Sequence, residues 1–328
     1  MRALIIKDPH FRFGFDKPRG RTETFHTDIL DKLKQIVELG KEHKTTNLII
    51  TGDVFDIKAK SLYTLDIIKE NFTAIQLLKR QFKNIYTIAG NHDLPYASLQ
   101  EKPHSFYQFC IDNQLFHDIA SNPTTIDNTY LYGIDYQGDW NKTLAILNHH
   151  DTKDNNPKVV VIHEYLVPVG ESLNMETHSY KELEHLKNHT AIITGHLHKG
   201  YPTDTSKTPI IVNQWNMTRL ARGYMTQEHH TPEVTLIDID LFETTITHIP
   251  LKVKDYHSCF MVDDNEKEKT LDNALYSFTQ RVLESGFSQV LDFDENAFKS
   301  KFEANFDTDK IKEKIHYYLE LAKRQVVS

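Results

Sequence analysis

The sequence predicts an α/β layered fold followed by a smaller α+β unit, and three observations carry that expectation. Short β-rich runs alternate with helical periodicity over roughly the first 250 residues. Several of those runs end in clusters of Asp, Asn and His rather than in plain turns. After about Lys252 the texture changes to charged, helix-like stretches.

In chain order, the strand candidates are Ala3–Lys7, Leu48–Thr51, Ile85–Ala89, Tyr130–Ile134, Lys158–Ile162, Ala191–Thr194 and Pro209–Val212. Amphipathic helices lie between them. One sets Phe25, Ile29, Leu33 and Val37 on a single face, and another does the same with Leu65, Ile68, Phe72 and Ile75. "EVTLIDID" and "TTITHIPL" read as two consecutive strands, a hairpin that completes a sheet. The change of texture divides the chain into residues 1–252 and 253–328. In the second part, "DKIKEKIHYYLELAKRQ" aligns Ile311, Ile315, Tyr318, Leu319 and Ala322 on one stripe, with Asp307 or Thr308 as its cap.

Composition narrows the function classes. With 39% hydrophobic and 26% charged residues the chain reads as a folded globular protein, not a disordered one. No apolar run approaches the ~18 residues of a membrane span. The start "MRALIIKDPH" lacks a secretory pattern, and Cys110 and Cys259 stand far apart in no metal or redox spacing. The expectation is a cytoplasmic protein, in the host cytoplasm if a phage encodes it. A formal net charge of −8 argues against a surface that binds nucleic acid all over, and leaves room for a local basic patch or a partner that shares the grip.

The polar strand ends carry the chemistry. The first strand runs into Asp8-Pro9-His10, the second into Gly52-Asp53-Val54-Phe55-Asp56, and the third into Gly90-Asn91-His92-Asp93. "KVVVI" leads to His163, and "AIIT" to Gly195-His196-Leu197-His198. Sites in open α/β sheets form at the carboxyl ends of strands, so these residues are expected at one edge. A Gly precedes three of the clusters, where the backbone must turn sharply or approach a neighbour closely. Carboxylate, imidazole and amide oxygen without thiolate suit Mn, Fe, Zn or Mg. A shared carboxylate between two such ions gives a centre that activates water and clamps both oxygens in phosphoryl transfer. Taken singly, a D-x-H after a strand is a common turn, and a lone His163 would more often be structural.

As a set, the five segments resemble the pattern D-x-H, G-D-x-x-D, G-N-H-D, H and G-H-x-H of calcineurin-like metallophosphoesterases, over about residues 3–250. That resemblance implies a four-layer α/β/β/α sandwich with a C-terminal capping domain. It implies two divalent metal ions, manganese first and magnesium or another transition metal next. Asp8, His10 and His198 would hold one ion, Asn91, His163 and His196 the other, and Asp53 would bridge them. His92 would face the scissile phosphate, with Asp93 behind it as orienting partner and Asp56 further out. "GDVFDIKAK" and "GNHDLP" lack the Arg continuation and the Glu of protein phosphatases. Together with "RGRTE" and "VIHEYLVPVGES" they look like the SbcD-type DNA-repair nuclease branch of bacteria and phages. That branch implies exo- and endonuclease activity in recombination and repair, a homodimer, and a complex with an SbcC-type coiled-coil ATPase, docked through the terminal helices. The stretch "VNQWNMTRLARGY" departs from the Gly-Ser-Pro turn that often follows the last motif there.

The expected DNA contacts lie in "HFRFGFDKPRGR": Arg12, Lys17, Arg19 and Arg21 would meet phosphates, and Phe11, Phe13 or Phe15 would stack on bases. The competing reading of the loop is aromatic packing on the sandwich or at a dimer interface. Two other functions compete with a nuclease: a small-molecule phosphomonoesterase or cyclic-nucleotide phosphodiesterase of the same superfamily, and a non-catalytic scaffold.

Overall fold

The computed structural model describes residues 1–260 except 19, 58–63, 155, 174, 221–229 and 241–242. In chain order its elements are β1 (Arg2–Ile6), α1 (Phe25–Glu42), β2 (Asn47–Ile50), α2 (Leu65–Lys79), β3 (Asn84–Thr87), α3 (Phe106–Asp112), β4 (His117–Asp118), β5 (Thr124–Ile126) and β6 (Thr129–Ile134). There follow α4 (Trp140–His150), β7 (Lys158–Glu164), β8 (Leu166–Val167), β9 (His178–Ser179), β10 (Ala191–His196), β11 (Ile210–Val212), β12 (Glu233–Ile239), β13 (Thr244–Pro250) and α5 (Tyr256–Cys259).

Two mixed sheets form, ordered β13-β12-β1-β2-β3-β4 and β11-β10-β7-β6-β5. Strands β1 to β4 are mutually parallel, and so are β6, β7, β10 and β11. The expected hairpin is present as the antiparallel pair β12–β13, joined to the sheet through β1.

Register explains the layering. Leu4 lies opposite Leu48, and Leu48 opposite Ile85, while one residue along Ile5 faces Ile49 and Ile49 faces Tyr86. Side chains alternate faces along a strand, so the two rows enter different cores. Leu4, Leu48 and Ile85 pack with Ile29, Leu33 and Ile75 of α1 and α2. Ile5, Ile49 and Tyr86 meet Val159, Val161 and Ile193 of the second sheet. On that sheet's other face, Val160, Ile162 and Ile192 pack with Trp140 and Leu147 of α4. Three apolar cores thus alternate with two sheets, and burial of that area is the main stabilising term.

Helix α2 packs three of the four expected residues against the core, Ile75 fully and Ile68 and Phe72 in part, and its buried stripe extends beyond them. Leu65 is 85% exposed, and Ile67, Asn71, Ala74, Ile75 and Leu78 are buried. Asn71 explains the wider stripe. Its amide donates to the carbonyls of Phe13 and Ile67 and its Oδ1 accepts from Phe13 N, so a polar residue anchors the inward face.

The chain divides into two compact units, Met1–Met261 and Val262–Ser328. Segment 253–260 packs within the first: Thr22 N donates to Cys259 O at 3.0 Å, and Arg21 bridges to Phe260. The second unit lies outside the described residues, and with it the expected cap and terminal helices. Among the described residues no helix is long and apolar enough to cross a membrane.

Candidate metal centre

Parallel strands β1, β2 and β3 end in step, and the turns that follow them carry Asp8, His10, Asp53 and Asn91. From the second sheet, β7 and β10 run on to include His163 and His196, with His163 opposite Gly195. The site therefore sits where the carboxyl edges of the two sheets meet. Asp8, His10, Asp53 and His196 all have left-handed backbone, with φ of 43°, 47°, 46° and 76°. Such conformations cost about 1 kcal/mol or more each in non-glycine residues and cluster at functional sites. Glycine serves close approach here. A Cβ on Gly90 would collide with the backbone and carboxylate of Asp53, and one on Gly195 would lie 2.7 Å from both Asp8 Oδ1 and His163 Nδ1.

The side chains converge on Asp53. Its Oδ2 lies 3.5 Å from His10 Nε2 and 3.3 Å from His163 Nε2, and its Oδ1 accepts from His92 N at 2.8 Å. His163 Nε2 also stands 3.3 Å from Asn91 Oδ1. His10 and His198 turn their Nε2 atoms on one another at 3.0 Å, and Asp8 Oδ2 lies 3.8 Å from the His198 nitrogen. Two compact donor trios result, His10–Asp53–His92 and Asp53–His163–His196, and Asp53 belongs to both. All seven expected ligands except His198 are buried, and His198 is half-buried.

This donor set fits a pair of divalent cations: oxygen and imidazole ligands without thiolate, and one carboxylate common to two clusters. Electrostatics agree. Burial pushes the Asp8 carboxyl up to about 6, against the pull of His163 and Lys7. Burial alone would also raise Asp53, but His163, His92 and His10 together hold it well below the usual range. His163 moves up to about 9 because the Asp53 carboxylate outweighs its burial. Burial, reinforced by neighbouring imidazoles, holds His196 and His198 well down, and burial takes His10 down to about 4. Neutral imidazoles are the form that binds metal.

The residue behind His92 is Asp56, not Asp93. His92 Nδ1 lies 2.8 Å from Asp56 Oδ1, and Asp56 Oδ2 accepts from Arg12 Nη1 at 2.5 Å. Burial opposes ionisation of Asp56, but His92 and Arg12 overrule it and keep this carboxyl well below its ordinary range. Asp93 turns the other way. Its oxygens accept from Val54 N, Phe55 N and Gly90 N at 3.1, 2.8 and 2.9 Å, which ties the second ligand turn to the third.

The loop after His10 also differs from expectation. Arg21 is 1% exposed and donates to Asp28, so it cannot reach a nucleic acid. Phe11 and Phe13 are buried and Phe15 packs against the same core, which removes them as base-stacking platforms. Arg12 holds Asp56, Lys17 lies 2.7 Å from Glu23, and Arg19 lies outside the described residues. Two site residues were not singled out in the sequence. Thr51 donates its hydroxyl to Asp8 Oδ1 and its carbonyl faces His163 Nδ1, and Tyr165 stacks on His196 with centroids 3.6 Å apart. Thr51 closes the run "LIIT" just before Gly52, and that position is the signal that marks it.

Among curated proteins, the chain is 24% identical over 208 residues to the DNA double-strand break repair protein Mre11 of Methanococcus maripaludis, covering 61% of this chain and 52% of that one. It is 27% identical over 234 residues to exonuclease subunit 1 of Enterobacteria phage T4, covering 69% of this chain and 65% of that one. The chain thus spans between about half and two thirds of the length of these relatives. The solved structure of TT1561 of Thermus thermophilus aligns over 75% of this chain and 98% of its own, at 12% identity and a TM-score of 0.46. The model of the calcineurin-like phosphoesterases matches residues 1–200, and with those strand-end ligands gathered on Asp53 the chain belongs to that family.

Proposed function

We propose that this chain is the nuclease subunit of a DNA repair or recombination complex and hydrolyses phosphodiester bonds. The observation that carries the reading is Asp53, one buried carboxylate shared by two donor trios, in a chain similar to an exonuclease subunit and to Mre11. Asp8, His10 and His198 would hold one divalent ion, and Asn91, His163 and His196 the other, with Asp53 between them. When bound, the ions, manganese first among them, supply Lewis acidity and activate water.

The remaining work falls to side chains. Asp56 fixes His92 through Nδ1, which leaves Nε2 to give a proton to the leaving oxygen. Arg12 occupies the other Asp56 oxygen and holds that carboxylate in place. Asp93 and Thr51 act on geometry, the first by tying two ligand turns together and the second by orienting Asp8 and His163. Lys17 and Arg19 remain the candidate phosphate contacts. The family resemblance supports a homodimer, a capping domain that begins after residue 261 and an SbcC-type ATPase as partner. Expected localisation is the cytoplasm.

The test is purified chain with manganese, with and without the ATPase, on linear duplex, hairpin and single-stranded DNA, beside mononucleotides and cyclic nucleotides. DNA cleavage that disappears with chelator is the expected result. Activity on nucleotides with none on DNA would establish the small-molecule phosphoesterase instead.

A further inference from the structure

The stretch "VNQWNM", residues 212–217, continues from the carboxyl end of β11 and plays no part in the chemistry above. Asn213 is 1% exposed, and both ends of its amide are engaged. Its Oδ1 accepts from Lys7 Nζ, and its Nδ2 donates to the Leu166 carbonyl at 2.9 Å. Lys7 is fully buried and stands directly before Asp8. A buried ammonium is costly unless it is hydrogen-bonded, so the bond to Asn213 ties the start of the first ligand turn to this stretch. Two main-chain bonds do the same. Met217 N donates to the Lys7 carbonyl at 3.3 Å, and Asn216 N to the His198 carbonyl at 3.4 Å.

The ligands of the two proposed ion positions are held in different ways. His163 and His196 lie within β7 and β10, where His163 pairs with Gly195 and His196 with Glu164. Asp8, His10 and His198 lie past the ends of β1 and β10, beyond the grip of the sheets. Asp8 and His10 also have left-handed backbone, which persists only where the surroundings enforce it. The Lys7 carbonyl shares one rigid peptide plane with the Asp8 nitrogen. With Met217 N on that carbonyl and Asn213 on the Lys7 side chain, the stretch grips the first ligand turn at two points, and its third bond takes the turn of His198. The strap is itself fixed. Trp215 N donates to Glu233 Oε1 at 2.9 Å, and His230 Nε2 donates to the Asn216 carbonyl at 3.0 Å. A Cβ on Gly200 would lie 2.4 Å from Trp215 N, so the chain after His198 runs directly against it.

We infer that Lys7 and Asn213 are positioning residues for the ion held by Asp8, His10 and His198, and that the ion held by Asn91, His163 and His196 does not depend on them. The inference rests on the ligand assignment proposed above. Both residues act through the turns that carry Asp8 and His198, so the two ion positions differ in what supports them: paired strands for one, a strap from the end of β11 for the other. Partners that orient metal ligands in this way are worth about 10–100-fold in metal affinity.

The experiment titrates manganese into the full chain after chelation, and anomalous scattering from crystals at matched manganese concentrations reads the two positions separately. The wild type should take up two ions. Asn213→Leu, close in size but unable to accept from Lys7, should bind the ion of Asp8, His10 and His198 about 10–100-fold more weakly and keep the other at wild-type affinity. Asn213→Asp restores an acceptor for Lys7 and should keep both ions. A brace that served only the fold would lower Tm and leave the balance between the positions alone. Wild-type affinities in Asn213→Leu, both positions weakened alike, or Asn213→Asp as impaired as Asn213→Leu overturns the inference. A wild type that binds fewer than two ions overturns the two-ion assignment itself, and that outcome is read before any variant is made. If Asn213→Leu fails to fold, amide exchange of the wild type decides. Exchange at Asn216 and Met217 should slow about tenfold or more as the second ion binds, and exchange that ignores the ion refutes the strap.

Discussion

His92 Nδ1 lies 2.8 Å from Asp56 Oδ1, while Asp93, the residue next to His92 in the chain, gives its carboxylate to three backbone amides. Adjacent residues on a tight turn point in different directions, so the carboxylate that orients the imidazole comes from another strand end. Asp56 follows β2, and His92 follows β3.

Different losses follow for the two carboxylates. Asp56→Asn should lower DNA cleavage about 100-fold or more with metal content unchanged, because His92 loses the group that fixes its tautomer. Asp93→Asn should act on stability, at about 1–3 kcal/mol, since an amide nitrogen then confronts backbone donors. Cleavage rates, metal analysis and thermal melts on both variants separate the roles. His92→Ala should abolish cleavage and keep both ions, and metal lost from that variant would make His92 a ligand, as its place in a donor trio would then mean.

Asp53→Ala should empty both metal positions, because the same carboxylate serves both trios. Anomalous scattering or elemental analysis counts the ions. One ion retained at full occupancy would show that Asp53 belongs to a single position.

The strand ends were legible because each is an apolar run that stops at Gly, Asp or His, and parallel pairing in step brings such ends together. Three features were not. Partners of a polar side chain depend on where turns point, which local pattern leaves open, so Asp56 and Asp93 exchanged places. The full width of the α2 face is hidden because buried Asn71 counts as polar in any periodicity. Arg21 looked like a phosphate contact in a basic loop, yet long-range packing against Phe25, Phe260 and Asp28 takes it inside. Strands of two residues such as β4 and β8 carry no period to read.

Metal affinity should fall steeply in acid, and the signs come from two groups. In the metal-free site Asp8 sits at about 6, so below that pH it holds a proton that an incoming cation must displace. His163 sits at about 9 and must lose its proton to bind at any lower pH. His10, His196 and His198 are lowered and are already neutral at pH 7. Binding at pH 7 should therefore release about one proton, rising towards about two near pH 5, and log affinity should change with the same slopes. Calorimetry in buffers of different ionisation enthalpy counts the protons. Release of none at pH 7 would mean that His163 is neutral before metal arrives.

Gly90→Ala tests whether close backbone approach shapes the bridge. The new methyl group would run into the Asp53 backbone nitrogen and carboxylate, and both belong to a buried turn with no room to retreat. The turn must shift, and Asp53 moves with it. The expected cost is about 1–3 kcal/mol in stability and about 10–100-fold in metal affinity. Thermal melts and metal titration measure the two effects on one sample. Wild-type affinity in this variant would show that the carboxylate finds its place without the glycine, and that the third ligand turn uses Gly90 for some other reason.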